Sequence, residues 1–305
     1  MTLRSGRQDN ERSRFRPVLA ALSLVLAAGC GAAGCGAPAA VPSADRPDRA
    51  QRIVSLDFCA DQYVLKLAGP DRILALSPHA TAEFSYMRDA AQGLPQVRPI
   101  AEDALVLQPD LVVRSYGGGP NAAAMFERAG VPVLQVGWAG DLPGIRRVTE
   151  DMGKGLGAEA QAAEILADMD RRLGELRQTG ERSGPRLDTL YVTPSGATTG
   201  AGSLVHEILQ EAGLANFEQR AGWRSLPLER LANTQPDLVA AAFFDSPGQK
   251  HDRWSSMRHP IAQAQLKTRP VVDLPSAWMS CGAWFAVDAV EALSRAAVRA
   301  EENRR

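Results

Sequence analysis

Histidine and cysteine are scarce in this chain of 305 residues, with four of each. No Cys-x-x-Cys pair occurs, and His79, His206, His251 and His259 do not cluster as metal ligands. A zinc or manganese carrier needs several imidazoles and carboxylates converging from two sides, so it is the weaker alternative. Catalytic signatures are missing too. There is no GK[ST] phosphate loop and no Gly-x-Ser-x-Gly elbow, and Gly153-Lys154-Gly155-Leu156-Gly157 imitates a dinucleotide loop without following a strand. An exported α/β enzyme is therefore a second, weaker alternative; the chain is expected to be no enzyme and to carry no resident cofactor. Basic excess is absent as well. The first 29 residues hold five arginines against Asp9 and Glu11, so the remainder carries 29 basic and 33 acidic residues, a net charge of −4. Nucleic acid, which wants a basic face, is not expected as a partner. No strongly apolar run is long enough to span a bilayer comfortably.

What is present begins with an export pattern. Arginines at positions 4 to 16 precede an uncharged stretch, Pro17 to Gly29, rich in Leu, Val and Ala. Leu26-Ala27-Ala28-Gly29-Cys30 is laid out as a lipobox in which Cys30 would be acylated; Ala37-Pro38-Ala39 offers an ordinary cleavage site instead. Residues 1–30 thus read as a signal and 31–50 as a tether. The protein is expected in the periplasm, either lipid-anchored through Cys30 or soluble. Cys59 and Cys281 then remain in the folded body, and an oxidising compartment lets them bridge.

The body carries an internal repeat. Residues 102–112 read EDALVLQPDLV and residues 229–239 read ERLANTQPDLV, an offset of 127. A period that long implies two copies of a whole lobe. In each copy Pro stops a short helix, and Asp-Leu-Val enters a buried strand. Short apolar strands (Arg52–Leu56, Arg72–Ser77, Leu111–Ser115, Val131–Val136, Leu187–Val192, Val271–Leu274) alternate with helical spacing, which indicates mainly parallel sheets. Asn121 is placed to cap the helix after the glycine loop. No strand signal appears from Leu142 to Gln178, and Ile165, Met169, Leu173 and Leu176 share one helical face. The expected architecture is α/β, with two similar lobes joined by a single long helix and a ligand cleft between them. The N-terminal lobe covers 51–141, the connecting segment 142–180 and the C-terminal lobe 185–301.

The stretches RIVSLDFCADQ (52–62), DRILALS (71–77), the doubled E-x5-QPDLV, GAGSLVHEILQEAGLAN (200–216) and LPSAWMSCG (274–282) occur in this order. In that order the chain resembles the helix-linked (class III) periplasmic substrate-binding proteins of ABC importers, which carry vitamin B12, ferric siderophores and haem. The resemblance covers about Gln51 to Ala297. Trp223, six residues before Glu229, and the glycine loop before Asn121 are similar to the vitamin B12-binding member; Gln96, six before Glu102, departs from its aromatic. The resemblance implies a monomer that captures a ferric chelate, haem or cobalamin and delivers it to a permease dimer, with Glu102 and Glu229 as docking glutamates. It also implies an inter-lobe cleft at the carboxyl ends of the strands. Loop residues there are the candidate ligand contacts: His79, Tyr116 and Gly117 from lobe one, and Trp223, Arg224, Phe244 and Trp278 from lobe two. Aromatics would stack on a flat chelate, and Arg224 would pair with an anionic one. A Cys59–Cys281 disulfide is expected beside those loops, and a helical linker predicts only small closure on binding.

Overall fold

The computed structural model describes residues 49–179, 185–245 and 254–302. The signal, Cys30 and the tether up to residue 48 lie outside the described residues.

The first lobe runs β1 (Ile53–Ser55), α1 (Phe58–Leu67), β2 (Ile73–Ala75), α2 (Ala101–Val106), β3 (Leu111–Arg114), α3 (Ala122–Arg128) and β4 (Val133–Gln135). Its four strands are parallel in the order β2-β1-β3-β4. Ile53, Val54, Val112 and Val113 are fully buried, as strands covered on both faces must be. Asn121 does precede α3, but its side chain makes no capping bond.

The connecting stretch is two helices rather than one, α4 (Leu142–Leu156) and α5 (Glu159–Thr179). Gly157 breaks it by adopting the left-handed conformation at φ 60°, ψ 46°, which a side chain would resist. Glycine also lets the helices meet closely, because a Cβ at Gly153 would fall 2.5 Å from that of Ala162. Ile165, Met169 and Leu173 of α5 are buried as their spacing predicts.

The second lobe comprises β5 (Asp188–Val192), β6 (Ala197–Thr199), α6 (Leu204–Glu211), β7 (Ala215–Asn216), β8 (Trp223–Ser225), α7 (Leu228–Asn233), β9 (Leu238–Ala242), α8 (Pro260–Thr268), β10 (Val271–Leu274), α9 (Ser276–Met279) and α10 (Ala286–Glu302). Its parallel sheet, β7-β5-β9-β10, repeats the order of the first. The antiparallel ribbon β6–β8 is an addition that no alternation in the sequence announces.

The repeat has a physical job. Helices α2 and α7 and the starts of β3 and β9 are each offset by the same 127 positions (101 to 228, 111 to 238). In lobe one the Asp110 carboxylate accepts from the N–H groups of Gln51 and Arg52, both at 2.8 Å, and Asp110 N–H donates to Arg52 O at 3.0 Å. In lobe two Asp237 accepts from Asp188 N–H at 2.9 Å and donates to Asp188 O at 2.7 Å. Each Asp therefore clamps the entry of the neighbouring strand, satisfying groups that no ladder reaches.

A C-terminal strap ties the lobes together. Cys281 is joined to Cys59 of α1, with Cα atoms 5.7 Å apart. Beyond it, Trp284 meets Tyr63 edge-on at 5.2 Å, and Phe285 stacks on Tyr86 at 4.2 Å. Tyr86 Oη donates to Asp288 at 2.8 Å, and Arg172 of α5 donates to Asp288 at 2.6 Å and Glu291 at 2.7 Å. These partners are largely shielded from water, so the ion pairs are screened less than surface ones.

Candidate functional site

Between the lobes lies a cavity of about 440 Å³. Lobe one contributes Phe58, Tyr63, Tyr116 and Trp138; lobe two contributes Tyr191, Trp223, Phe243 and Trp278. Most stand at or just beyond the carboxyl end of a strand, where an open α/β sheet leaves a crevice. Ser115, Ser203 and Ser280 also line the cavity; the Ser203 and Ser280 hydroxyls donate to Gly200 O at 2.8 Å and Ser276 O at 2.7 Å, so toward the cavity they can only accept. Among the described residues no charged side chain lines the cavity.

The N-terminus of α1 organises the lobe-one wall. Asp57 is buried, caps the helix by accepting from Ala60 N–H at 3.0 Å, and accepts from Ser115, Tyr116 and Gly117 N–H at 2.7, 3.0 and 2.9 Å. One carboxylate thus holds the loop after β3 against the helix that carries Phe58, Cys59 and Tyr63. Four charge-assisted bonds are enough to keep a buried carboxylate in place. Burial pushes the Tyr63 phenol up to about 12 and also raises Tyr116 and Tyr191. All three stay protonated at neutral pH and offer the cavity no negative charge.

One turn further, Asp61 is fully buried and accepts from Ser77 N–H at 3.1 Å and Ser77 Oγ–H at 2.6 Å. Burial raises its carboxyl from 3.8 to about 6, with the Ser77 bonds acting in the opposite sense. The folded state therefore holds this proton more tightly than the unfolded chain does. Its contribution is full below about pH 4 and is lost as pH rises through about 6. A shift of this size corresponds to about 3 kcal/mol. Thermal melts from pH 4 to 7 should show wild type losing stability relative to Asp61→Asn; parallel profiles would refute the assignment.

The structure brings together three of the seven candidate contacts. Tyr116, Trp223 and Trp278 line the cavity. Arg224 does not. Side chains alternate along β8, so Trp223 faces the cleft while Arg224 turns behind it, donating to Ala221 O at 2.9 Å with Nε 3.9 Å from Glu218. Phe244 packs beside the Leu190–Val239 core, and its neighbour Phe243, at φ 66°, enters the cavity instead. Gly117 acts through its backbone, since a Cβ there would fall 2.2 Å from Leu56 O. His79 is exposed and leans on Phe84 at 5.8 Å; the chain turns back there, with Ala80 N–H bonded to Ser77 O. Sequence reasoning missed Phe58, Tyr63, Trp138, Tyr191 and Phe243. For Phe58, Trp138, Tyr191 and Phe243 proximity to a strand end was the available signal; Tyr63, in the middle of α1, had none.

Glu102 and Glu229 are both exposed, each the second residue of its six-residue helix. They therefore hold equivalent places on the two lobes.

The sequence pattern described as "Periplasmic binding protein" matches residues 53–273. The chain belongs to this family. An uncharacterized ABC transporter substrate-binding lipoprotein of Bacillus subtilis is 23% identical over 256 residues, covering 74% of this chain and 81% of that one. A cobalamin-binding protein of Halobacterium salinarum is 24% identical over 253 residues, covering 75% and 69%. Among solved structures, a periplasmic haem-binding protein in complex with two haems aligns with a TM-score of 0.64 at 23% identity, covering 80% of this chain and 98% of that one. That likeness is one of fold, two lobes of mainly parallel sheet.

Proposed function

We propose that this protein is the extracytoplasmic substrate-binding component of an ABC importer, and that its ligand is a corrinoid of the cobalamin type. The observation that carries the ligand is the cavity: eight aromatic side chains and three serine hydroxyls, with no charged side chain among the described residues. Aromatic faces suit a broad macrocycle, and hydroxyls suit the amides around a corrin rim. Haem propionates and ferric catecholates carry anionic groups whose burial without a cationic partner is costly. The cobalamin-binding relative points the same way. The substrate-binding relative supports transfer to a permease, and the exposed, repeat-matched Glu102 and Glu229 are the positions we assign to docking. The export pattern of the N-terminal segment and the substrate-binding lipoprotein relative support a location outside the cytoplasm, and we assign Cys30 as the lipid attachment site on its lipobox-like setting.

Fluorescence titration with cyanocobalamin, haemin and a ferric catecholate tests the ligand. Cyanocobalamin should bind tightest, with an affinity nearly constant between about 0.1 M and about 1 M salt because no exposed ion pair is involved. Trp223→Ala should weaken it about tenfold or more with little change in melting temperature, since Trp223 is 57% exposed and packs edge-on against Tyr191 at 5.9 Å. Preferential, salt-sensitive binding of haemin or the catecholate refutes the corrinoid. A large stability loss with unchanged affinity would make Trp223 a core residue.

A further inference from the structure

The cleft has little freedom to close by lobe motion. Its back is held by α5, by the Cys59–Cys281 bridge, by the Tyr86–Phe285 stack and by the Tyr86–Asp288–Arg172 chain. A ligand held in a preformed, open groove still needs its outer face shielded from water. In this frame the shield has to come from side chains at the rim rather than from a hinge.

One side chain is placed for that. Trp138 lines the cavity yet is 90% exposed, an unusual position for so large an apolar side chain. Its backbone is anchored on both sides: Val136 and Ala139 are buried, and Val136 N–H donates to Arg114 O at 2.7 Å. Its immediate surroundings are open. Among the described residues no aromatic ring packs against it, whereas Trp223 across the cleft is braced by Tyr191. At Gly140 a Cβ would come within 3.2 Å of the Trp138 Nε1, so glycine there keeps the space in which the indole sits and turns. The two indoles are thus unequal, one a braced platform in lobe two and the other a free paddle on lobe one.

We propose that Trp138 is a ligand-covering residue, whose indole rotates on a fixed backbone to close over the face of the ligand opposite Trp223. The proposal rests on the corrinoid reading of the cleft and adds the element that retains the ligand. Covering acts after encounter, so it governs escape rather than arrival.

Stopped-flow binding of cyanocobalamin to wild type, Trp138→Ala and Trp138→Phe tests it. The dissociation rate should rise about tenfold in Trp138→Ala and by less in Trp138→Phe, while the association rate stays within about twofold. Melting temperatures should match wild type, because the side chain is exposed. Iodide should quench the wild-type fluorescence increment over Trp138→Phe in the free protein and lose that effect once cyanocobalamin is bound. Equal dissociation rates in wild type and Trp138→Ala, with cyanocobalamin bound by both, overturn the covering role alone. Wild-type protein that takes up no cyanocobalamin overturns the corrinoid reading and this proposal with it.

Discussion

Replacing Glu102 and Glu229 together by arginine is expected to abolish uptake while ligand affinity and melting temperature stay near wild type. Both carboxylates are exposed on the first turn of matching six-residue helices, and neither forms a salt bridge among the described residues. Exposed carboxylates of this kind contribute little to folding; the loss of a favourable charge at a helix N-terminus amounts to about 0.5 kcal/mol each. Their neighbours are occupied elsewhere. Asp103 pairs with Arg98 at 2.6 Å, and Arg230 lies over the Phe217 ring at 4.1 Å. The glutamates are therefore the free charges that the repeat presents on both lobes. If the proposed docking role holds, the permease faces these carboxylates with cationic groups, and reversal turns attraction into like-charge contact, which costs several kcal/mol at each lobe and slows encounter. Uptake of labelled cyanocobalamin by cells, beside a titration of the purified double variant, checks this. Normal uptake, or lost ligand binding, would reduce the glutamates to helix-surface residues.

Loss of the Cys59–Cys281 bridge should have the largest effect on stability. It spans a sequence separation of 222 residues and joins α1 of lobe one to the start of the C-terminal strap. In the chain-entropy account a closure of that length stabilises by about 5 kcal/mol, with native-state strain reducing it. For a folded body of this size that corresponds to a fall of roughly 10–20 °C in melting temperature for Cys59→Ser/Cys281→Ser. Because Tyr63–Trp284 and Tyr86–Phe285 still hold the strap, the variant should fold and bind, with weaker affinity from a looser cavity wall. Peptide mapping of the denatured, unreduced protein should recover the two cysteines as one linked fragment. Separate, thiol-labelled fragments, or a melting temperature indifferent to reduction, would end the idea.

The parts of this protein legible in its sequence are those governed by local rules. Strand β10 spans Val271–Leu274 as its apolar run predicts, Ile165, Met169 and Leu173 share the buried face of α5, and the doubled Pro-Asp-Leu-Val marks the same joint in both lobes. Apolar runs, helix stops and an offset of 127 positions need no knowledge of distant partners, so α/β class, duplication and helical linkage followed directly. Even the break at Gly157 was spelled by the chain, although the glycines around it were weighed as a failed phosphate loop rather than as a left-handed cap. Facing is different. Whether Trp223 or Arg224 enters the cleft depends on the register of β8 against β6, and Phe243 displaces Phe244 because of one positive φ angle after β9. A single residue's shift in a strand reverses which side chain is inside. The Cys59–Cys281 bridge of the strap was expected, but its aromatic contacts were invisible for a related reason. Tyr63 and Tyr86 lie about two hundred positions away, and only packing decides that Trp284 and Phe285 meet them. Composition and periodicity determined the lobes; the cavity they enclose, its uncharged aromatic wall and the exposed indole at its mouth were decided by tertiary contacts that no local pattern encodes.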